Sequence, residues 1–313
     1  MIEITPQQLP VLSRWFPTGS PGLGALAEHV LTTGTGHWWA DRPDQPRVLA
    51  VTCADHVLLR GDPGVLAPDA VARFADRYVD TPARFWPALG SAFERIVPWE
   101  RMTYVHQAQA PVALPRTPRG VTVRRLMPED VPALAALHSE YAWIHASWGG
   151  PAGLAGSGHG WAAFAKGRIL SVACTYFLGS AYEDIAVVTV PDRRRERLAL
   201  ACVAGLTADI RARGHTASWC CSRDNRPSRL LAWTAGFRLT REHVHHITGR
   251  ALERTARAAP AGPDTGVQRP VVRPGRPKVP VGAAVGGGRT RCDVPVSDRP
   301  PLPDRTVDLS DLP

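Results

Sequence analysis

Lysine is almost missing from this chain of 313 residues. Only Lys166 and Lys278 are lysines, so nearly all of the 37 basic side chains are arginines. The chain also lacks a run of about 18 apolar residues, the length that a transmembrane helix needs. Its first residues, MIEITPQQLP, lack the basic and apolar parts of a signal peptide. The six cysteines form no C-x-x-C pair, so we expect reduced thiols. These absences predict a cytoplasmic protein with no membrane partner.

Positive charge is unevenly distributed along the chain. The net charge is −2 over residues 1–115, +8 over residues 116–252 and +3 over residues 253–313. Such an excess suits an anionic ligand. A helix-turn-helix pattern, or aromatic residues interleaved with basic ones, would point to nucleic acid, but neither is present. We therefore expect the middle segment to bind a phosphate-bearing ligand, and nucleic-acid binding is the least favoured function.

Composition divides the chain into three segments. Residues 1–115 predict a smaller N-terminal α/β domain, and residues 116–252 predict a second α/β domain. Residues 253–313 are rich in Pro, Gly and Arg and have no periodic apolar pattern. Because such a segment cannot bury enough surface to offset its ordering entropy, it predicts a disordered tail, and a role as a basic interaction tail stays open. The sequence shows no clear internal repeat, although a distant shared layout of the two α/β segments stays open.

The periodicity of apolar residues predicts a mixed α/β order. In the second segment it predicts strands at 120–126, 182–190, 215–222 and 237–249, a hairpin at 161–179, and helices at 128–144, 193–213 and 227–235. In the first segment it predicts helices at 23–34, 71–80 and 84–96, a hairpin at 47–62 and a strand at 101–107. The order indicates a mixed, mostly antiparallel sheet flanked by helices.

One stretch, IAVVTVPDRRRERLA at residues 185–199, carries the clearest chemical signal. An apolar strand runs into Pro191, then an arginine-dense turn, then an amphipathic helix. The free N–H groups at a helix N-terminus and nearby arginine side chains together suit a phosphate group. Arg193, Arg194, Arg195 and Arg197 are therefore candidate phosphate ligands, although a solvated run of charge is the alternative.

Two carboxylates, Glu183 and Asp184, begin the strand that leads into this turn. A carboxylate there can take a proton from a substrate ammonium, directly or through water. The alternative is a solvated strand end. The residue types do not choose between the two, so both are candidate catalytic residues.

Three histidines near the end of the second segment raise the question of a metal site. In a strand, His243 and His245 share one face while His246 points to the other, and no acidic or cysteine partner lies nearby in sequence. We predict no metal. A role for one of these histidines in proton transfer stays open.

Two blocks of the second segment resemble the Gcn5-related N-acetyltransferase (GNAT) family, in a bacterial branch. The first block reads Val187, Val188, Thr189, Pro191, Arg194, Leu198 and Ala199. The second reads Ser218, Trp219, Asn225, Ser228, Leu231, Ala232, Gly236 and Phe237. The motif match covers about 55 residues, and the predicted element order extends it to about 130. Both blocks at this spacing make the resemblance fairly specific.

The resemblance implies the GNAT fold and transfer of an acetyl group from acetyl-CoA to a primary amine. In this family the amine attacks the thioester directly in a ternary complex, without a metal or a covalent acyl-enzyme. The acceptor is then a small-molecule amine or an amine of a protein. The N-terminal domain is then either part of the acceptor site or a degenerate GNAT-like unit.

The resemblance also assigns roles to residues of this chain. Val188, Thr189 and Val190 would bind the pantetheine arm through their backbone, and the turn from Arg194 to Ala199, including Glu196, Arg197 and Leu198, would wrap the pyrophosphate. Asn225 would help to hold the coenzyme A arm, with Ser228 supporting the turn. Trp148 precedes Gly149–Gly150, where the family builds its acceptor pocket, so it is a candidate for lining that pocket.

The chain departs from the family pattern at two positions. Arg197 stands where the pyrophosphate turn has glycine, which lets backbone N–H groups approach phosphates without an intervening Cβ. Ala232 stands where many members have a tyrosine that protonates the leaving thiolate. These departures support an alternative function, a catalytically degenerate acyl-CoA sensor or interaction module.

Overall fold

The computed structural model describes residues 1–5, 15–67, 69–107 and 115–252. The predicted disordered tail at 253–313 lies outside the described residues, as does Cys292. The other five cysteines are buried and free.

The described strands form one twelve-stranded sheet. In chain order they are β1 Ile2–Glu3, β2 His37–Ala40, β3 Val48–Cys53, β4 His56–Gly61, β5 Tyr78–Asp80, β6 Ile96–His106, β7 Thr122–Arg125, β8 Gly160–Ala165, β9 Arg168–Leu178, β10 Tyr182–Thr189, β11 Thr216–Ser222 and β12 Phe237–Thr248. The spatial order is β1-β2-β3-β4-β5-β12-β6-β11-β10-β9-β8-β7. Only the β4–β5 and β10–β11 pairs are parallel, so the predicted mixed, mostly antiparallel sheet is confirmed.

Helices cover this sheet. The α-helices are α1 Leu26–Thr33, α2 Trp86–Gly90, α3 Val131–Ala135, α4 Pro151–Ser157, α5 Leu198–Ala212 and α6 Arg226–Thr234. The longest, α5, packs Leu198, Val203 and Leu206 into a core with the buried faces of β8 to β11. None of the helices in the described part of the chain is long and apolar enough to span a membrane.

Two helix predictions are wrong. The segment 128–144 does not form one helix, because His138 is extended (ψ 145°) and separates α3 from a 3₁₀ helix at Ser139–Trp148. The segment 71–80 holds only a 3₁₀ turn at Ala72–Phe74 followed by strand β5. There Asp76 has φ +54°, a left-handed conformation that ends a right-handed helix.

The sheet order contains an internal repeat that the sequence does not show. Read from either edge, five strands follow one another in chain order, β1 to β5 from one edge and β7 to β11 from the other. In each half the fourth and fifth strands are the parallel pair. At the centre the last strand of each half crosses over, so that β12 lies beside β5 and β6 lies beside β11.

These crossing strands tie the two predicted α/β segments together. β6 pairs with β12 along their length, from Phe237↔His106 to Thr248↔Ile96, and also with β11. Residues 1–252 cluster as one compact unit. The boundary at residue 115 therefore does not separate two sheets, and its status as a border between folding units stays a prediction.

Helix α1 provides a second link between the halves. The Glu28 carboxylate accepts hydrogen bonds from the backbone N–H groups of Gly19 (2.8 Å) and Ser180 (2.7 Å). The His29 ring accepts from the N–H of Leu178 (3.0 Å) and bonds to the carbonyl of Ser147 (2.8 Å). The connection between β9 and β10 is thereby held by the N-terminal half.

The crossed strands predict that the second segment does not fold alone. We expect the fragment 116–252 to aggregate or stay unfolded, because β11 and β12 lose the strand that lies between them. The fragment 1–252 should unfold in a single urea transition followed by circular dichroism. A stable, monomeric 116–252 fragment would contradict this account of the sheet.

Candidate functional site

A cleft opens between β10 and β11. Their parallel pairing runs from Tyr182↔Thr216 only to Ile185↔Trp219. Beyond that point β10 continues to Thr189 but pairs on the β9 side alone. The backbone edge from Ala186 to Thr189, with the predicted residue Val188, therefore faces a gap rather than a neighbouring strand, and its polar groups are placed to bind an extended ligand.

The turn after β10 adopts glycine-like geometry without glycine. A 3₁₀ turn at Pro191–Arg193 follows Val190, and helix α5 begins at Leu198. Arg195 has φ +67° and Arg197 has φ +59°, the left-handed region in which a side chain costs roughly 1–2 kcal/mol. The helix therefore begins five residues after the start predicted at residue 193. The first N–H groups of α5, including that of Ala199, lie at the end of the cleft strand.

The predicted phosphate ligands differ in their surroundings. Arg193 is engaged within the turn, since its guanidinium donates to both oxygens of Glu196 at 2.8 and 2.7 Å. Arg194 is partly buried, and its Nε has no hydrogen-bond partner among the described residues. Arg195 and Arg197 are exposed. Arg194 is thus the side chain of this turn with a buried donor left for a ligand.

Asn225 and Ser228 lie at the N-terminus of α6, directly after β11. The Asn225 side-chain oxygen accepts from the N–H of Ser228 (3.1 Å) and so caps α6. The Ser228 hydroxyl accepts from the Trp219 indole (3.0 Å). Both residues line a cavity that continues from the cleft, so they serve local structure and also face the ligand space.

This cavity, of about 100 Å³, lies between the two halves of the sheet and receives side chains from both. A β-bulge shapes one wall. The register passes from Asp184↔Phe177 to Ile185↔Thr175, which leaves Tyr176 as an extra residue on β9. Because a bulge re-aims neighbouring side chains, Tyr176 and Phe177 both line the cavity.

The structure separates the two candidate carboxylates. Glu183 is fully buried and is not among the residues that line the cavity. Its oxygens accept from Arg213 (2.9 and 2.8 Å), Thr175 (2.5 Å) and His215 (2.9 Å). Burial alone would raise the pKa of Glu183, but the hydrogen bonds from Arg213 and Thr175 outweigh it, and the pKa lies below its usual value. Glu183 thus occupies a structural ion pair.

Asp184 lines the cavity beside the point where β10 and β11 part. It is 6% exposed, and its Oδ1 accepts from the Ser218 hydroxyl at 3.1 Å. Ser218 in turn accepts from the N–H of Gly22 at 2.9 Å. A carboxylate held in this way at the end of the cleft faces any ligand that enters the cavity.

Trp148 lies away from the cavity, and Trp143 takes its place there. The Trp148 indole donates to the carbonyl of Thr175 (2.7 Å), and its ring stacks on His159. Both tryptophans lie in the 3₁₀ helix at Ser139–Trp148. Since that helix has three residues per turn, positions five apart point to different sides. The predicted contact of Trp148 with substrate is not supported by its position.

Sequence reasoning missed the wall that the N-terminal half supplies. His56 begins β4, Tyr78 begins β5, and Trp99 and Arg101 lie on β6, and all four line the cavity. His245 of β12 lines it as well. The sequence signal that could have indicated this wall is the polar pair Asp55–His56 at the start of a strand. It resembles the pair Glu183–Asp184 at the start of β10. Within the described part of the chain, no group of three metal-ligand side chains is placed to hold a metal ion.

The left-handed conformation of Arg197 generates a stability prediction. Arg197→Gly should raise the free energy of unfolding by about 1 kcal/mol, because glycine adopts this φ without a Cβ clash. Arg194→Gly, at φ −70°, should lower it, because glycine only adds backbone entropy there. Urea unfolding of the two variants beside the parent chain measures both changes. A loss of stability in Arg197→Gly would contradict the observed turn.

Comparisons with known proteins agree with this geometry. The family model for GNAT acetyltransferases matches residues 24–245. An uncharacterized N-acetyltransferase in the mutA 5′ region of Streptomyces virginiae is 61% identical over 216 residues, which are 69% of this chain and 90% of that protein. The crystal structure of a GCN5-related N-acetyltransferase-like protein from Streptococcus suis 89/1591 has a TM-score of 0.60 at 17% identity, covering 77% of this chain and 98% of that one.

A tandem GNAT protein from the clavulanic acid biosynthesis pathway has a TM-score of 0.50 at 14% identity, covering 78% of this chain and 96% of that one. At these identities the solved structures establish the fold, and the match to the family model over most of the chain establishes the relationship. The chain belongs to the GNAT acetyltransferase family and is an acetyl-transferring enzyme.

Proposed function

We propose that this enzyme transfers an acetyl group from acetyl-CoA to a primary amine by direct attack in a ternary complex. The observation that carries the proposal is the parting of β10 and β11 after Ile185. The gap lies between a phosphate-suited turn at one end and the cavity at the other. A thioester in the cleft and an amine in the cavity would meet beside Asp184.

Acetyl-CoA fits the residues of the cleft. The buried Arg194 Nε lacks a partner among the described residues, and the N-terminus of α5 supplies backbone N–H groups, so both suit the pyrophosphate. Val188 and Thr189 offer an open strand edge for the pantetheine arm, and Val190 follows directly after the end of that strand. The left-handed Arg197 keeps the turn in the shape that glycine gives the family, so the missing glycine does not by itself argue against binding.

Asp184 would take the proton that the amine must lose before attack. An alkyl ammonium has a pKa near 10, so a nearby base increases the neutral fraction. The amine nitrogen then bonds to the thioester carbon, and the carbon–sulfur bond breaks. Glu183 does not serve this step in our proposal, because its carboxylate is already bound by Arg213, His215 and Thr175.

The proposed acetyl transfer does not require a tyrosine at position 232 to protonate the leaving thiolate. Ala232 is fully buried in the main core cluster, so no acid acts from this position. A thiol has a pKa near 8.5, and a thiolate therefore leaves without a strong acid. The second proton of the attacking nitrogen can neutralise it, and the net reaction releases one proton.

A degenerate acyl-CoA sensor is the second candidate function, and buried Ala232 is the observation that favours it. It predicts binding of acetyl-CoA without turnover. The type of amine acceptor and a cytoplasmic location also stay predictions.

Only the C-terminal half should bind the coenzyme. In the N-terminal half, the described residues between Gly61 and Tyr78 form 3₁₀ turns rather than a long helix. Asp62 caps the first of these turns, and its charge opposes a phosphate. We therefore expect one acetyl-CoA per chain by calorimetric titration.

Arg194→Ala should weaken that binding about tenfold or more, because a charge-assisted hydrogen bond to phosphate contributes roughly 1.5–3 kcal/mol. Arg211→Ala is the matched control, since Arg211 is an exposed arginine in the last turn of α5, at the end far from the phosphate turn. Equal effects of the two changes, or no detectable binding to the parent chain, would reject the turn as a pyrophosphate site.

The two carboxylates should respond differently to removal of their charge. Asp184→Asn should lower kcat at pH 7 by about 100-fold with little change in unfolding midpoint. Glu183→Gln should keep most of kcat but destabilise the fold by about 3 kcal/mol, because it breaks a buried ion pair.

The loss of stability caused by Glu183→Gln should also depend on pH. Because folding lowers the pKa of Glu183 below about 4.5, its stabilising contribution is present above that pH and is lost as the pH falls through the folded value. Urea unfolding at pH 7 and pH 3 should therefore show a gap between parent and variant that narrows in acid. If the Glu183→Gln variant is fully folded and still loses most of its kcat, the catalytic carboxylate is Glu183 rather than Asp184.

A further inference from the structure

Three basic side chains gather at one side of the cavity, and the proposed acetyl transfer does not use them. They are Arg101 of β6, His56 of β4 and His245 of β12, and we call them the basic pole. Arg101 and His245 lie on the two crossing strands, and His56 lies at the start of β4 in the N-terminal half. The clustering depends on the exchange of β6 and β12.

Arg101 places a fixed positive charge there. It is 5% exposed, its Nη2 donates to the carbonyl of Cys220 at 2.9 Å, and its guanidinium lies 4.0 Å over the Trp99 ring. Arginine stays protonated at any pH that the protein meets. A buried cation on the wall of a ligand cavity favours a ligand with negative charge.

The two imidazoles supply hydrogen-bonding groups that the fold leaves unused. His245 is 1% exposed, and neither of its ring nitrogens has a hydrogen-bond partner among the described residues. The Nδ1 of His56 is likewise buried without one. The nearest carboxylate to His245 is Asp80, at 4.0 Å from Nε2, which is beyond hydrogen-bond distance. Buried polar groups of this kind find partners in ligands.

The three groups are close enough to influence one another's titration. Burial, together with the smaller effect of the Arg101 charge, lowers the pKa of His56 to about 3. Burial also lowers the pKa of His245 well below its usual value, with contributions from His243, Arg101, His56 and Arg241. Both imidazoles are therefore neutral near pH 7, and each keeps one N–H to donate.

We propose that the acceptor amine also carries a carboxylate, and that the basic pole binds this carboxylate while the amino group lies at Asp184. The acceptor is then a small aminocarboxylate, such as an amino acid. Its body would lie against aromatic side chains of the wall, among them Trp143, Tyr176 and Phe177. This inference rests on the proposed acetyl transfer and adds the class of substrate.

The carboxylate takes no covalent part in the reaction. The amine nitrogen forms the bond to the acetyl carbon, the carbon–sulfur bond breaks, and coenzyme A leaves as the thiol. One proton of the substrate ammonium goes to Asp184 and on to solvent, and the second goes to the leaving sulfur. Binding of the carboxylate aligns the amine for this attack and keeps it away from the cationic side chains.

Acceptor pairs that differ only in the carboxylate test the proposal. We would measure kcat/KM of the full chain with acetyl-CoA for alanine against ethylamine and for phenylalanine against phenethylamine. For at least one pair the carboxylate member should be favoured at least tenfold. His245→Gln should reduce that preference at least fivefold, and His56→Asn should do the same if His245→Gln folds poorly. Equal kcat/KM within both pairs, or a preference that neither variant reduces, would overturn the proposal.

His246→Gln is the matched control. His246 is the next residue on β12, points to the other face and packs against Trp86 at 5.5 Å, so the carboxylate preference should not change. The KM for acetyl-CoA should stay the same in all three variants, because the basic pole lies on the acceptor side.

A binding measurement separates this proposal from the proposed activity. With coenzyme A saturating, phenylalanine or alanine should raise the thermal unfolding midpoint of the parent chain, whereas the matching amine should raise it less. Such a difference without any turnover would reject acetyl transfer and keep the carboxylate site. Turnover of amines with no carboxylate-dependent shift or rate would keep acetyl transfer and reject the carboxylate site.

Discussion

The pairing of β6 with β12 holds the functional centre together. Each strand ends one half of the sheet and crosses to lie beside the other half, so the hydrogen bonds of the two halves are made in one ladder. The same crossing carries Trp99 and Arg101 from one side, and His245 from the other, into the cavity. Loss of this pairing would therefore remove both the sheet's centre and one wall of the acceptor space.

The two halves of the sheet differ in the segment that follows their equivalent strands β4 and β10, and this difference separates their proposed roles. After β10 the chain forms a turn with left-handed Arg195 and Arg197 and then the fifteen-residue α5. After β4 it forms short 3₁₀ turns in the residues described. A long helix offers aligned N–H groups to phosphate, and short turns do not. In our proposal the C-terminal half therefore binds the coenzyme, and the N-terminal half shapes the acceptor wall.

The two neighbouring carboxylates, Glu183 and Asp184, have different surroundings. The Glu183 carboxylate is enclosed and compensated by Arg213 and His215, whereas its neighbour Asp184 faces the cavity. Adjacent strand residues point to opposite faces, so one becomes part of the fold and the other becomes available to substrate. The cavity then has the Asp184 carboxylate on the β10 side and Arg101 on the β6 side, and Asp55, which pairs with Arg77, also lines it. The proposed dipolar acceptor would place its amino group at Asp184 and its carboxylate at Arg101.

The sequence by itself predicted the family, the mixed sheet and, apart from the helix at 128–144, the order of elements from residue 120 onward, because those depend on local periodicity and on a contiguous motif. It also predicted the turn that follows β10, including its arginines. It did not choose between Glu183 and Asp184, its candidate Trp148 does not line the cavity whereas Trp143 does, and it showed no clear repeat. These points are decided by strand register, by helix type and by the exchange of β6 and β12 between the halves. Each of these three features depends on contacts between residues far apart in the chain. Only the tertiary structure, by bringing Arg101, His56 and His245 together, reveals the basic wall of the cavity.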